Sequence, residues 1–355
     1  MKQLYDIIIK NVNESRYKIF VTTTGGGQSF LSKFMEYPGA SNTIIGGYTP
    51  YSKEMFEDFC GKTIDKYCSE ESALLLATQS YFKCITKTDY PKEDILGIGV
   101  TCSLATTNER KGRTHKAFIA IHNHNFSIKH TINFIEGLSR SDEETIVVQS
   151  IFVLLHSILR HDVFNDYLAF STKLSIHNII EQSYDTLDNI NKIELTDTLA
   201  LYPGSWNPMH QGHKDIIQLA ESILNTKVYC ELSMYNADKG ILDYFELDNR
   251  IRANPSNKIV ISREPTFISK AQALYHPNQQ LVFIVGSDTW NRIADPVYAG
   301  PIDQLYNEFV RYNVKFLVFA RDGYPILHNT LSKLLIQSDL AANFNNPISS
   351  TKLRQ

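Results

Sequence analysis

Two histidines three residues apart open a predicted helix in the second half of the chain, directly after a small-residue turn. His210 and His213 follow Gly204 and Ser205. Backbone N–H groups of a Gly-Ser turn approach a phosphate closely, and the first turn of a helix directs its amides and positive dipole end at the same anion. An imidazole N–H donates to phosphate oxygens, and an imidazolium adds charge. This spacing predicts a phosphate-binding site.

The elements that must position this site alternate between strand and helix patterns. Strands are predicted over Leu199–Tyr202, Lys227–Leu232, Lys258–Ser262, Gln280–Val285 and Val314–Ala320, and helices over His213–Leu224, Tyr244–Ala253, Ile268–Leu274 and Ile302–Tyr312. Such a rhythm requires a parallel sheet with right-handed crossovers, which is an α/β architecture. The turn then lies at the carboxyl end of a strand, where ligands bind in open α/β sheets.

Four motifs occur in order along this half. They are Gly204-Ser205-Trp206-Asn207-Pro208 with His210-Gln211-Gly212-His213, then Ile284-Val285-Gly286-Ser287-Asp288, then Arg321-Asp322-Gly323, and finally Ile348-Ser349-Ser350-Thr351-Lys352-Leu353-Arg354. They resemble the GSFxPxHxGH, IGxD, RxG and ISSTxxR motifs of the nucleotidyltransferase superfamily, as seen in nicotinamide or nicotinate mononucleotide adenylyltransferases. The resemblance implies a Rossmann-like domain with a parallel sheet over 197–355.

The same resemblance implies an activity. A nucleotidyl group, expected to be adenylyl, passes from ATP to a phosphorylated acceptor, expected to be nicotinamide or nicotinate mononucleotide, and pyrophosphate leaves. Such a transfer needs no protein nucleophile, so it depends on orientation and charge stabilisation. Mg²⁺ bound mainly through the triphosphate is the implied cofactor. No metal site built from protein side chains is expected.

Specific residues take roles by this resemblance. The implied catalytic residues are His210, His213 and Arg354. The implied substrate contacts are Gly204, Ser205, Asn207, Asn236, Lys239, Arg250, Gly286, Asp288, Arg321, Ser349, Ser350 and Thr351. Two alternatives stay open, because the superfamily motifs do not determine the base: a cytidylyltransferase that uses CTP and a phospho-alcohol, and a nucleotide-binding protein without turnover. The tryptophans Trp206 and Trp290 are expected to pack in the core.

The first half also alternates between strand and helix patterns. Strands are predicted over Lys18–Thr22, Ile95–Val100 and Lys116–His122, and helices over Ser29–Glu36, Ser69–Thr86 and Asp142–Arg160. The apolar run Ile7–Ile9 is also predicted as a strand. The polar, weakly periodic stretch that follows predicts a connector with some helix over 166–196.

Motifs in residues 1–165 resemble the C-terminal domain of CinA-like proteins, whose active members deamidate nicotinamide mononucleotide. They are Val21–Gly27, Tyr37–Ser41, Thr49–Ser52, Gly97–Thr101 and Arg140. In this chain Thr24 replaces the family's serine, and Phe56 stands where its lysine is expected. A serine needs an adjacent base to become a nucleophile, so amidase activity is doubtful. The loop Thr24, Gly25, Gly26, Gly27 still exposes amides to a phosphate, with a purely structural turn or an oligomerisation scaffold as alternatives.

The composition and the net charge limit the other classes of protein to which the chain could belong. The 355 residues are 43% hydrophobic and carry a formal net charge of −3. That charge provides no general attraction to nucleic acid or anionic lipid, and no apolar stretch is long enough for a membrane span. Five scattered cysteines favour reduced thiols and a cytoplasmic protein. Related amidase-like domains self-associate, which implies a homo-oligomer.

Overall fold

The structure is a computed structural model of the chain. It describes residues 2–107, 114–160, 175–183, 193–194, 196–236, 240–254 and 258–344. Two compact units divide the chain: one contains Met1–Thr186 with Asp243–Phe245, and the other contains Leu187–Leu242 with Glu246–Gln355. Each unit contains its own main sheet, which agrees with the predicted α/β class.

The first unit is built on a six-stranded mixed sheet in the order β2-β1-β3-β4-β5-β6. The strands are β1 (Lys18–Thr24), β2 (Ile44–Tyr48), β3 (Ile95–Ser103), β4 (Lys116–His122), β5 (Phe126–Phe134) and β6 (Ser175–Ser183). The helices are α1 (Lys2–Asn13), α2 (Ser29–Met35), α3 (Lys53–Cys60), α4 (Glu70–Lys87) and α5 (Arg140–Arg160). β1 pairs in parallel with β2 and β3, whereas the pairs from β3 to β6 are antiparallel.

Two segments of this unit differ from the sequence prediction. Ile7–Ile9 lies in helix α1 and not in a strand. Ile8 and Val12 are four residues apart and both are buried, which is the spacing of a helical face. The connector predicted over 166–196 contains β6, which pairs with β5 along its whole length. Main-chain hydrogen bonds define this edge strand, and its sequence Ser-Ile-His-Asn-Ile-Ile-Glu-Gln-Ser shows no clean alternation.

The core of the first unit lies against its sheet. Ile8 and Ile9 of α1, together with Phe30 and Phe34 of α2, share one buried cluster with α5 and the strands. Phe152 of α5 stacks on Phe34 with ring centroids 6.2 Å apart. Burial of such aromatic side chains dominates the energetics of a core.

The second unit is built on a five-stranded, all-parallel sheet in the order β11-β8-β7-β12-β13. Its strands are β7 (Thr198–Pro203), β8 (Val228–Ser233), β11 (Ile259–Ser262), β12 (Gln280–Gly286) and β13 (Val314–Phe319), with a small hairpin of β9 (Tyr235–Asn236) and β10 (Gly240–Ile241). Its helices are α6 (Gln211–Leu224), α7 (Tyr244–Arg252, whose first two residues are grouped with the first unit), α8 (Phe267–Leu274), α9 (Ser287–Ala294), α10 (Pro296–Ala299), α11 (Ile302–Arg311) and α12 (Asp339–Ala342). The predicted parallel sheet is confirmed.

An aromatic cluster forms the core of this second unit. Phe283 of β12, Phe316 of β13 and Trp290 of α9 are each fully buried, and the Trp290 ring meets that of Phe316 at 5.3 Å. Trp290 packs in the core, as the sequence predicts. None of the helices in the described ranges combines the length and the apolar character needed to cross a membrane.

Candidate active site

Three of the four predicted motifs of the second unit lie at the carboxyl edge of its sheet. The chain runs outward from β7 to β8 and β11, then returns to β12 on the other side of β7. This reversal makes the carboxyl ends of β7 and β12 the topological switch point of the sheet, which is where open α/β sheets bind ligands. β7 ends at Pro203, directly before the Gly204 turn, and β12 ends at Gly286, two residues before Asp288.

The turn after β7 has a defined backbone conformation. The Gly204 N–H and the indole Nε1–H of Trp206 both donate to the carbonyl of Glu231, each at 3.0 Å. A Cβ at position 204 would lie 2.6 Å from the Trp206 ring, so only glycine fits. Trp206 is 1% exposed and therefore packs, as predicted.

The two motif histidines stack on each other at the start of α6. Their ring centroids lie 3.7 Å apart, and the His210 backbone N–H donates to Nδ1 of His213 at 3.3 Å. Because Nδ1 accepts this hydrogen bond, the neutral His213 ring carries its proton on Nε2. Nδ1 of His210 is buried and has no hydrogen-bond partner among the described residues. An anion at this helix start would meet both rings.

Arg321 adds a permanent positive charge beside the histidine pair. Its guanidinium binds the Asp288 carboxylate at 2.7 Å, and its backbone N–H donates to the Ser287 hydroxyl at 3.0 Å. Burial, then the nearby His210 and Arg321, lower the pKa of His213 to about 4. Burial and then Arg321 also lower the pKa of His210. Both rings are thus neutral donors near pH 7, next to a cation.

The low pKa of His213 predicts a loss of stability in mild acid. Its pKa is about 4 in the fold and about 6.5 in an unfolded chain, so the unfolded chain binds the proton more tightly. The contribution of the neutral His213 ring to the free energy of unfolding is complete above about pH 6.5 and declines as the pH falls towards 4. Between pH 7 and pH 5 the decline is about 2 kcal/mol. Urea unfolding at these two pH values measures it.

The control for this prediction is the variant His213→Gln, which has no imidazole at position 213. It is expected to lose less stability than the wild type between the two pH values. Burial and then His124 lower the pKa of His122 to about 3, but that histidine contributes equally to both proteins. An identical acid loss in wild type and variant would contradict the assignment to His213.

Arg250 supports the turn from the side of α7. Its Nε donates to the Glu246 carboxylate at 2.8 Å, and its guanidinium donates to the Ser205 carbonyl at 3.0 Å. The Asn207 amide donates to the same Glu246 oxygen at 3.0 Å. Sequence reasoning missed Glu246, although its i,i+4 spacing from Arg250 is a usable signal. The substrate contacts predicted for Ser205, Asn207 and Arg250 remain predictions.

The C-terminal motif lies outside the described residues, as do Ser349, Ser350, Thr351, Arg354 and also Lys239. Asn236 lies in β9, and its side chain is not described. The described chain reaches Phe344, whose ring meets that of Phe319 at 5.4 Å at the end of β13.

In the first unit, Glu144 of α5 already occupies amide donors of the predicted phosphate loop. Its carboxylate accepts from Gly27 N–H at 2.6 Å, from Ser29 N–H at 3.2 Å and from the Ser29 hydroxyl at 2.7 Å. Arg140 donates to the Gly25 carbonyl at 2.9 Å. The anion in this loop is thus one of the chain's own carboxylates. Phosphate binding by Thr24, Gly25, Gly26 and Gly27 remains a prediction.

The position expected to carry the amidase lysine is part of the hydrophobic core. Phe56 is 1% exposed and packs with Cys60 and Leu76. Thr24, in the place of the serine, is the last residue of β1. Among the described residues, no group of three or more His, Cys, Asp or Glu side chains is arranged to hold a metal ion.

Comparisons with known proteins bear on each half separately. Residues 201–355 match the family model described as cytidylyltransferase-like, so the resemblance of this segment to nucleotidyltransferases is confirmed. No curated protein matches the chain.

Among solved structures, the chain is similar to the competence/damage inducible protein CihA from Agrobacterium tumefaciens, at 14% identity and a TM-score of 0.35, over 44% of this chain and 93% of that one. It is also similar to a CinA superfamily protein from Klebsiella pneumoniae, at 11% identity and a TM-score of 0.35, over 45% of this chain and 98% of that one.

Proposed function

We propose that the second unit transfers a nucleotidyl group to a phosphorylated acceptor. The premise is that residues 201–355 form a cytidylyltransferase-like domain of the nucleotidyltransferase superfamily. The observation that supports this proposal is the stacked pair of neutral imidazoles at the start of α6, beside the Arg321 cation. Hydrogen-bond donors and a fixed charge at a helix N-terminus suit a polyphosphate. The switch point between the carboxyl ends of β7 and β12 is the place where these groups can contact the polyphosphate.

The chemistry is a direct displacement at phosphorus. A phosphate oxygen of the acceptor attacks the α-phosphorus of a nucleoside triphosphate, a new P–O bond forms, and the bond to pyrophosphate breaks. His210 and His213 donate to the phosphate oxygens on which charge increases, and Arg321 stabilises the same charge. Ser350, Thr351 and Arg354 hold the β- and γ-phosphates in this proposal. Such positioning and charge stabilisation suffice for phosphoryl-type transfer.

Mg²⁺ fits this site as a cation held mainly by the triphosphate. Arg321 binds one oxygen of the Asp288 carboxylate, Oδ2, at 2.7 Å, and the described residues place no cluster of three or more potential metal ligands around it. Mg²⁺ commonly binds through phosphates and water with few protein ligands. When bound, the ion neutralises negative charge on the leaving pyrophosphate. The residues of this chain provide the orientation.

The proposed substrates are ATP and nicotinamide or nicotinate mononucleotide. The sequence Ile348–Arg354, which resembles the ISSTxxR motif of mononucleotide adenylyltransferases, supports this choice. The cytidylyltransferase-like description of the family supports the alternative pair, CTP and a phospho-alcohol. We propose the adenylyl reaction as the primary activity, in a cytoplasmic protein.

A substrate panel tests this function. The full chain is incubated with Mg²⁺, with ATP or CTP, and with nicotinamide mononucleotide, nicotinate mononucleotide or phosphoethanolamine, and pyrophosphate release is followed. We expect release with ATP and a pyridine mononucleotide. Release only with CTP would move the proposal to the cytidylyl reaction. No release with any pair, together with a raised melting temperature on adding nucleotide, would indicate binding without turnover.

A further inference from the structure

A buried ion pair lies behind the turn that precedes the histidines. The Lys270 ammonium of α8 contacts the Glu231 carboxylate of β8 at 2.8 Å, and the two side chains are 6% and 1% exposed. The other carboxylate oxygen accepts the Ser262 hydroxyl of β11. Replacing a buried ion pair by well-packed apolar residues is often neutral or stabilising. What the pair adds is a defined geometry among β8, β11 and α8.

The backbone of Glu231 transmits that geometry to the turn. Its carbonyl accepts both the Gly204 N–H and the Trp206 indole N–H at 3.0 Å. A carbonyl oxygen has two lone pairs, so both are used. One residue therefore binds β11 and α8 with its side chain and holds the turn after β7 with its main chain.

Trp206 extends the connection to the histidines. Its φ of +50° lies in the left-handed region, which is uncommon for a bulky residue and must be held by its surroundings. Besides the Glu231 carbonyl, the Asn254 amide holds it by donating to its backbone carbonyl at 3.3 Å. The indole then packs edge-on against His213, with ring centroids 5.1 Å apart. A displacement of the turn would thus displace this imidazole.

We propose that Glu231 and Lys270 are positioning residues that determine where the His213 ring points. Neither residue touches the substrate. They fix the end of β8, whose carbonyl holds the turn and the indole against which the imidazole rests. This inference rests on the proposed nucleotidyl transfer, in which His213 donates to a phosphate oxygen.

The test is a variant that removes the charges and keeps the packing: Glu231→Met with Lys270→Met, together with Ser262→Ala so that no hydroxyl loses its acceptor. We expect a melting temperature close to wild type, a KM for the triphosphate within about twofold, and kcat at least tenfold lower. A purely stabilising pair would leave kcat unchanged in such a folded variant. Asp248→Asn, which alters the exposed ion pair with Arg252, is the matched control with wild-type kcat.

A second readout separates this inference from the proposed function. The His213 imidazole is titrated by NMR in wild type and in the triple variant, with His213→Gln assigning its signal. We expect the midpoint in the variant to rise by at least one pH unit, because a displaced ring is better solvated. An unchanged midpoint and an unchanged kcat would overturn the inference. A wild type without turnover on any substrate pair would overturn the proposed function, while the titration still tests the positioning.

Discussion

Replacement of His213 by alanine is expected to lower kcat for pyrophosphate release by about 100-fold or more, as removal of one preorganised donor typically does. The Nε2–H of this ring is oriented by the His210 backbone N–H on its other nitrogen. Alanine removes that donor from the phosphate oxygens in the transition state. Initial rates at saturating nucleotide and acceptor measure the effect, and the melting temperature reports the fold.

His276→Ala is the matched control, because this histidine is exposed in the same unit after the end of α8. It is expected to retain wild-type kcat. A wild-type rate in His213→Ala would contradict the role of the pair in catalysis, particularly if His210→Ala behaved in the same way.

Replacement of Arg354 by alanine is expected to lower kcat/KM for the triphosphate by roughly 10- to 100-fold. A hydrogen bond to a charged group contributes about 1.5–3 kcal/mol, and a guanidinium binds phosphate oxygens through two parallel N–H groups. Arg354→Lys keeps the positive charge but lacks the two parallel N–H donors of the guanidinium. It is therefore expected to recover part of the kcat/KM that Arg354→Ala loses. The measurement is kcat/KM for the triphosphate at a fixed acceptor concentration.

Lys352→Ala controls for the general charge of the same tail. It removes a cation two residues away that is not one of the motif's defining positions, and it is expected to stay within about threefold of wild type. Equal losses in Lys352→Ala and Arg354→Ala would indicate that the tail acts only through its net charge, which contradicts a specific guanidinium contact.

The sequence predicts the second unit more completely than the first. Its buried strands are short apolar runs bounded by polar turns, so Val314–Ala320 was predicted within one residue of the observed Val314–Phe319. In the first unit the prediction failed where periodicity is weak. The Ile7–Ile9 run is too short to reveal its period, and β6 is defined by pairing with β5, which no local pattern shows.

For the site, local motifs predicted residues that the fold brings together, and long-range contacts were missed. His210, His213, Asp288 and Arg321 all lie at one edge of the sheet because β7, β12 and β13 are parallel and their carboxyl ends coincide. The ion pair of Glu231 and Lys270 joins residues 39 positions apart. In the sequence alone, Glu231 and Lys270 each look like an ordinary charged surface residue.

Tracing the α-phosphate of the triphosphate shows whether this chain joins a nucleotide to a phosphorylated acceptor. The full chain is incubated with Mg²⁺, ATP labelled at the α-phosphate and a pyridine mononucleotide, and the products are treated with phosphatase. We expect label in a phosphatase-resistant dinucleotide with wild type and none with His210→Ala/His213→Ala. Nucleotidyl transfer would be contradicted if the label appeared only in ATP, ADP, AMP or free phosphate, and if labelled CTP with phosphoethanolamine also gave no phosphatase-resistant product.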